Sequence, residues 1–97
     1  MILITKDNVV VQRSHNLRGI IARSGRISVR SVEISENIYK HACLAVCWAD
    51  GSRVFTEFAD YRVLKSWVSG RRSFQGANLI VCGIQHGKVT RNNPRML

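Results

Sequence analysis

The apolar positions of this chain fall into short runs whose period switches between two and about 3.6 residues. The densest run is Ala42-Cys43-Leu44-Ala45-Val46-Cys47-Trp48. Asp50-Gly51 follows it, and then Val54-Phe55-Thr56-Glu57-Phe58. Asp-Gly between two β-rich runs is a strong hairpin signal, because a type I′ turn needs positive φ at both central residues. The pattern next predicts a helix, with Asp60 as N-cap and an apolar stripe of Val63, Leu64, Trp67 and Val68. Strand, tight turn, strand and helix form the unit around which the rest is arranged.

Upstream, Ile2–Thr5 and Val9–Arg13 predict two short strands, hairpin-paired across the turn signal Lys6-Asp7-Asn8. Ser14 is a good N-cap for a helix over 15–24, on which Leu17, Ile20 and Ile21 share a face and after which Gly25 stands. Gly19 inside this helix costs about 1 kcal/mol relative to Ala, unless it serves a close approach to the sheet. Ile27–Ile34 predicts a strand with a defect. Ile27 and Val29 share one parity, Val32 and Ile34 the other, so the apolar set changes sides near Arg30-Ser31. A β-bulge there would do this. Ser35–Lys40 is a polar loop. Gly70 ends the second helix or lets it run one more turn. Leu79–Cys82 and Lys88–Thr90 are the last strands, and 91–97 is a flexible tail.

The order ββαβββαββ predicts an α+β fold: a mostly antiparallel sheet of five to seven strands with two helices packed on one face. A ferredoxin-like βαββαβ core with additions is the alternative. With a two-residue loop at Asp50-Gly51, Trp48 opposes Arg53, Val46 opposes Phe55 and Leu44 opposes Glu57, and opposed residues share a face. The other face, with Cys43, Ala45, Cys47, Val54, Thr56 and Phe58, carries small residues and no charge, which assigns it to the helices. Leu44, Val46, Trp48, Arg53 and Phe55 then face outward as an interface for a second copy or a protein partner. A three-residue loop would exchange the two faces.

Composition narrows the function. Ninety-seven residues, 45% of them hydrophobic, make one domain over 1–97 with a real core. Fifteen Lys and Arg against six Asp and Glu give a net charge of +9, and eleven of the fifteen are Arg, the residue suited to bidentate phosphate contacts. The competing explanation is a charge that only maintains solubility. The polar side of the second helix carries Arg62, Lys65, Ser69 and Arg72 in one near-collinear stripe at i, i+3, i+7 and i+10, with Arg71 beside it, and Phe74 is a candidate stacking ring. Arg62, Lys65, Arg71, Arg72 and Phe74 are the expected nucleic-acid contacts.

Other chemistry finds little support. Cys43 and Cys47 share a strand face about 13 Å apart, too far for one zinc ion. Three cysteines without framework spacing point to reduced thiols and a cytoplasmic protein. The first residues lack the features of a signal peptide, and no run approaches the roughly 20 apolar residues of a membrane span. No local signature marks a nucleophile, a paired-carboxylate site or a phosphate loop, and Ser14-His15 reads as a cap and its neighbour. RNA-recognition, helix-turn-helix and zinc-finger patterns are missing too. The expectation is no enzyme, no cofactor, no metal and no small-molecule substrate, but a small basic protein that binds nucleic acid. The alternative is a protein-interaction module or homodimer. From Asp50 to Pro94 the chain resembles, in size and texture, small accessory proteins of phages, plasmids and other mobile elements. That resemblance implies a modulator of a host machine.

Overall fold

The computed structural model describes residues 2–4 and 10–84, with side chains from Asn16 onward. Its elements are β1 (Ile2–Ile4), β2 (Val10–Gln12), α1 (Arg13–Ser24), β3 (Val29–Glu36), β4 (Ala42–Trp48), β5 (Arg53–Phe58), α2 (Tyr61–Ser69) and β6 (Asn78–Val81), with a 3₁₀ turn at Arg72–Phe74 before β6. The fold is α+β. β1 and β2 pair with each other, antiparallel, as the hairpin expected. The other four strands form one sheet in the order β5-β4-β3-β6, and β6 joins β3 in parallel. The sheet is therefore mixed rather than antiparallel throughout. Three consecutive strands between the helices, and a first strand pair outside the main sheet, set it apart from the ferredoxin-like alternative. The strand expected at Lys88–Thr90 and the tail at 91–97 lie outside the described residues.

The bulge in β3 is where the parity of its sequence put it. Val29 pairs with Trp48 and Ser31 with Cys47, so Arg30 is the extra residue and the register shifts there. Val29, Val32 and Ile34 thereby reach one face in spite of their broken alternation.

The β4–β5 hairpin departs from expectation by one residue. Cys47 pairs with Arg53, Val46 with Val54, Leu44 with Thr56 and Ala42 with Phe58. Trp48 N–H donates to Ser52 O at 3.0 Å and Gly51 N–H to Trp48 O at 2.9 Å, which closes a three-residue loop, Ala49-Asp50-Gly51. Only Gly51 in this loop has positive φ, +89°, where a two-residue type I′ turn would require it of Asp50 as well. The longer loop confines the left-handed conformation to glycine, and it brings Val54 and Phe58 to the same face as Leu44 and Val46.

The faces are consequently exchanged. Leu44, Val46 and Trp48, expected on the outside, are fully buried in the core with Val32, Ile34, Leu64 and Val81. Both helices pack there. Ile20 of α1 and Leu64 of α2 are 0% exposed, and Trp48 Nε1 donates to Ser24 Oγ of α1 at 3.0 Å. Thr56 is buried on the same face, and its hydroxyl has no hydrogen-bond partner among the described residues. The opposite, outer face holds Cys43, Ala45 and Cys47 with Arg53, Phe55 and Glu57, and of these Cys43, Ala45 and Glu57 are buried too.

The helices differ in quality. Asp60 caps α2 as expected, its carboxylate accepting from Val63 N–H at 3.0 Å. The buried residues of α2 are Tyr61, Leu64 and Val68, Trp67 is half-buried, and Val63 stands outside the stripe at 46% exposure. α1 begins at Arg13, so Ser14 sits inside its first turn rather than capping it. A Cβ on Gly19 would meet nothing within 4 Å, so no close packing requires that glycine.

Candidate nucleic-acid interface

The five expected nucleic-acid contacts do not form one stripe. Arg62 and Lys65 are exposed on α2, but the helix stops at Ser69 with Gly70 as its C-cap. Arg71 then has extended backbone, and Arg72 begins the 3₁₀ turn. This break turns Arg71 and Arg72 away from the helix axis and toward α1. Phe74 is not available for stacking on a ligand from outside: it is 4% exposed, in the core, with its ring centroid 5.8 Å from that of Trp67. Trp67 in turn meets Phe58 at 5.9 Å, and the Arg71 guanidinium lies 5.1 Å over its ring. These contacts fix Arg71 by stacking, and among the described residues no acidic side chain pairs with it.

Between the end of α1 and the segment from Gly70 to Ala77 runs an open groove. It consists of two adjoining hollows that share Ser24, Arg72 and Ser73. The first, about 340 Å³, lies between Ile20, Ile21, Ser24 and Gly25 on the α1 side and Gly70–Phe74 on the other. The second, about 380 Å³, continues past Ser28 and Val29 toward Gln75 and Ala77. No acidic side chain lines either hollow among the described residues. The chain that forms the α1-side wall carries Arg23, Arg26 and Arg30. Arg23 lies 5.3 Å over the Trp48 ring, and Arg30 donates to Ala49 O at 3.3 Å.

The acidic residues are mostly engaged elsewhere. Glu33 pairs with Arg53 at 3.0 Å across the outer sheet face. Asp60 is the α2 cap. The Ser52 hydroxyl and backbone N–H beside Asp50 hold its carboxyl below the ordinary value, with Arg23 adding a smaller push in the same direction. Glu57 is fully buried. It accepts from Asn37 Nδ2 and lies 3.2 Å from His41 Nδ1 through the same oxygen, Oε2, while Oε1 has no partner among the described residues. Asn37, itself 7% exposed, also accepts from Tyr39 N–H at 2.9 Å and His41 N–H at 3.1 Å. The turn it builds presents Ile38, 70% exposed, and Tyr39, 50% exposed.

Of the expected protein interface, Leu44, Val46 and Trp48 are core residues, so they offer no docking surface. The loop's extra residue is the cause. Arg53 and half-buried Phe55 do lie on the outer face, and Phe55 O accepts from Asn16 Nδ2 at 2.6 Å. Sequence reasoning passed over the α1-side wall. A signal was there: arginines recur at 13, 18, 23, 26 and 30 in a stretch without one acidic residue. The Asn37–Glu57 pairing had no such signal, since the two residues are twenty positions apart. No helix among the described residues is long and apolar enough to cross a membrane. The chain matches no protein-family model, no curated protein and no solved structure.

Proposed function

We propose that the protein is a non-catalytic nucleic-acid-binding module of the cytoplasm, and that its contact surface is the groove between α1 and the Gly70–Ala77 segment. The observation that carries the reading is a recessed surface with Arg71 and Arg72 on one wall and, among the described residues, no acidic side chain lining it. Arg23, Arg26 and Arg30, in or just after α1, and Arg62 and Lys65 on α2 do not line it and add only to the charge of the molecule. A net charge of +9 adds long-range attraction for a polyanion. The test is binding to labelled DNA and RNA across a salt series. Affinity should fall linearly on a log–log plot, by about 0.7 to 0.9 per phosphate contact. Replacing Arg71 and Arg72 together by Glu should weaken every sequence alike. No binding at ~50 mM salt would end the proposal.

A second reading, docking to a protein, has one observation in its favour. Ile38 and Tyr39 are neighbouring apolar side chains held out to solvent on a turn that buried Asn37 and Glu57 fix in place. A rigid apolar tip limits the entropy lost on docking. This version moves the interface from the hairpin face to the β3–β4 turn.

A further inference from the structure

The groove's two hollows differ in chemistry, and the difference bears on which form of nucleic acid fits. The first has an apolar base: Ile20 is 0% and Phe74 4% exposed, and Ile21, 46% exposed, stands at its rim. The second is more polar, with Ser24, Ser28, Ser73 and Gln75 in its lining. Arg72 and Ser73 belong to both. Each volume falls within the roughly 300–1,000 Å³ of sites that take small ligands. A duplex keeps the flat faces of its bases inside the stack and offers only phosphates and groove edges, which protruding elements read. Here the surface is recessed, and a duplex would leave the exposed apolar side chain of Ile21 at its rim unused. Single strands expose base faces, which seat on apolar and aromatic side chains while cations hold the backbone.

A further observation points to a missing acceptor. Arg71 borders the first hollow and also a smaller cavity lined by Val32, Val68 and Leu79. Its Nε is buried and has no hydrogen-bond partner among the described residues. A buried donor left without an acceptor is costly unless a ligand or water supplies one.

We propose that the groove is a site for single-stranded nucleic acid, in which one base lies against the exposed Ile21 side chain at the rim, Arg72 holds the adjoining phosphate and Arg71 donates to an oxygen of the bound strand. Gln75 and Ser28 then meet the neighbouring nucleotide. This assignment rests on the nucleic-acid reading above and adds to it the strandedness of the ligand.

The experiment measures fluorescence anisotropy with labelled oligothymidylate, oligouridylate and a DNA duplex of equal length, at one fixed salt concentration. The single strands should bind at least about tenfold tighter than the duplex. Ile21→Asp changes an exposed rim residue, so the fold should persist by circular dichroism. It should lower single-strand affinity about tenfold and duplex affinity by clearly less. Ser73→Glu, at an exposed position shared by both hollows, should do the same or more. Equal or tighter duplex binding, or single-strand binding that neither variant alters, overturns the inference while the nucleic-acid reading stands. Failure of all three probes to bind overturns both.

Discussion

Two turns flank β4, and they are built on opposite plans. The turn after it, Ala49-Asp50-Gly51, is local. Its one left-handed residue is a glycine, and its capping carboxylate, Asp50, lies within two residues of the N–H it accepts from, on Ser52. The turn before it, Asn37 to His41, places Lys40 at φ +66°, a conformation that costs a residue with a Cβ about 1–2 kcal/mol. That turn is held by Asn37, which binds two backbone N–H groups of the turn and reaches across to Glu57 on β5. One turn follows from its own few residues. The other adds to its own hydrogen bonds a contact with a buried carboxylate that the sheet supplies.

The contrast can be broken most severely at Asn37. Asn37→Ala removes both backbone contacts and leaves Glu57 buried with fewer partners, so stability should fall by about 3 kcal/mol in urea denaturation. A loss below roughly 1 kcal/mol would mean that the turn is as self-sufficient as its counterpart. Gly51→Ala forces a Cβ into a left-handed position and should cost about 1–2 kcal/mol by the same measurement. In the opposite direction, Lys40→Asn places a residue that tolerates this conformation, and it should stabilise by about 0.5 kcal/mol. The smallest effect is at Asp50. Its pKa is lowered on folding, so its contribution is present above the ordinary value of 3.8 and is lost as the pH falls through the lower folded value. Asp50→Asn should therefore flatten the acid limb of a melting-temperature profile slightly and leave the neutral region little changed.

The same contrast explains what was legible in the sequence. Features set by neighbours could be read: the bulge at Arg30 from the parity of Val29 and Val32, the Asp60 cap from its position before a helical stripe, and β4 from its unbroken apolar run. Features set by partners far along the chain could not. The buried Glu57 meets Asn37 and His41, twenty and sixteen residues away. The faces of β4 and β5 were misassigned because Asp50-Gly51 serves two-residue and three-residue loops alike. A shift of one residue then inverts every side chain of β5 relative to β4. For the groove, Arg71 and Arg72 were legible as charges. Their direction was not, because it follows from the chain leaving α2 at Gly70. The opposite wall comes from α1, about fifty residues earlier.

The parallel pairing of β6 has a consequence for the order in which the molecule assembles. β3, β4 and β5 are joined by short turns, so their pairing closes small loops at modest entropic cost. β6 has to find β3 across a separation of nearly fifty residues, after α2 has carried the chain past β4. It has four residues and, among the described residues, a single partner strand. The meander should thus form early, and β6 should dock late and open first. The Gly70–Ala77 wall of the groove is tied to the sheet through β6. Amide protons of β6 should then exchange with solvent through a smaller opening than those of β4, and each such opening would dismantle the groove while the meander stays folded.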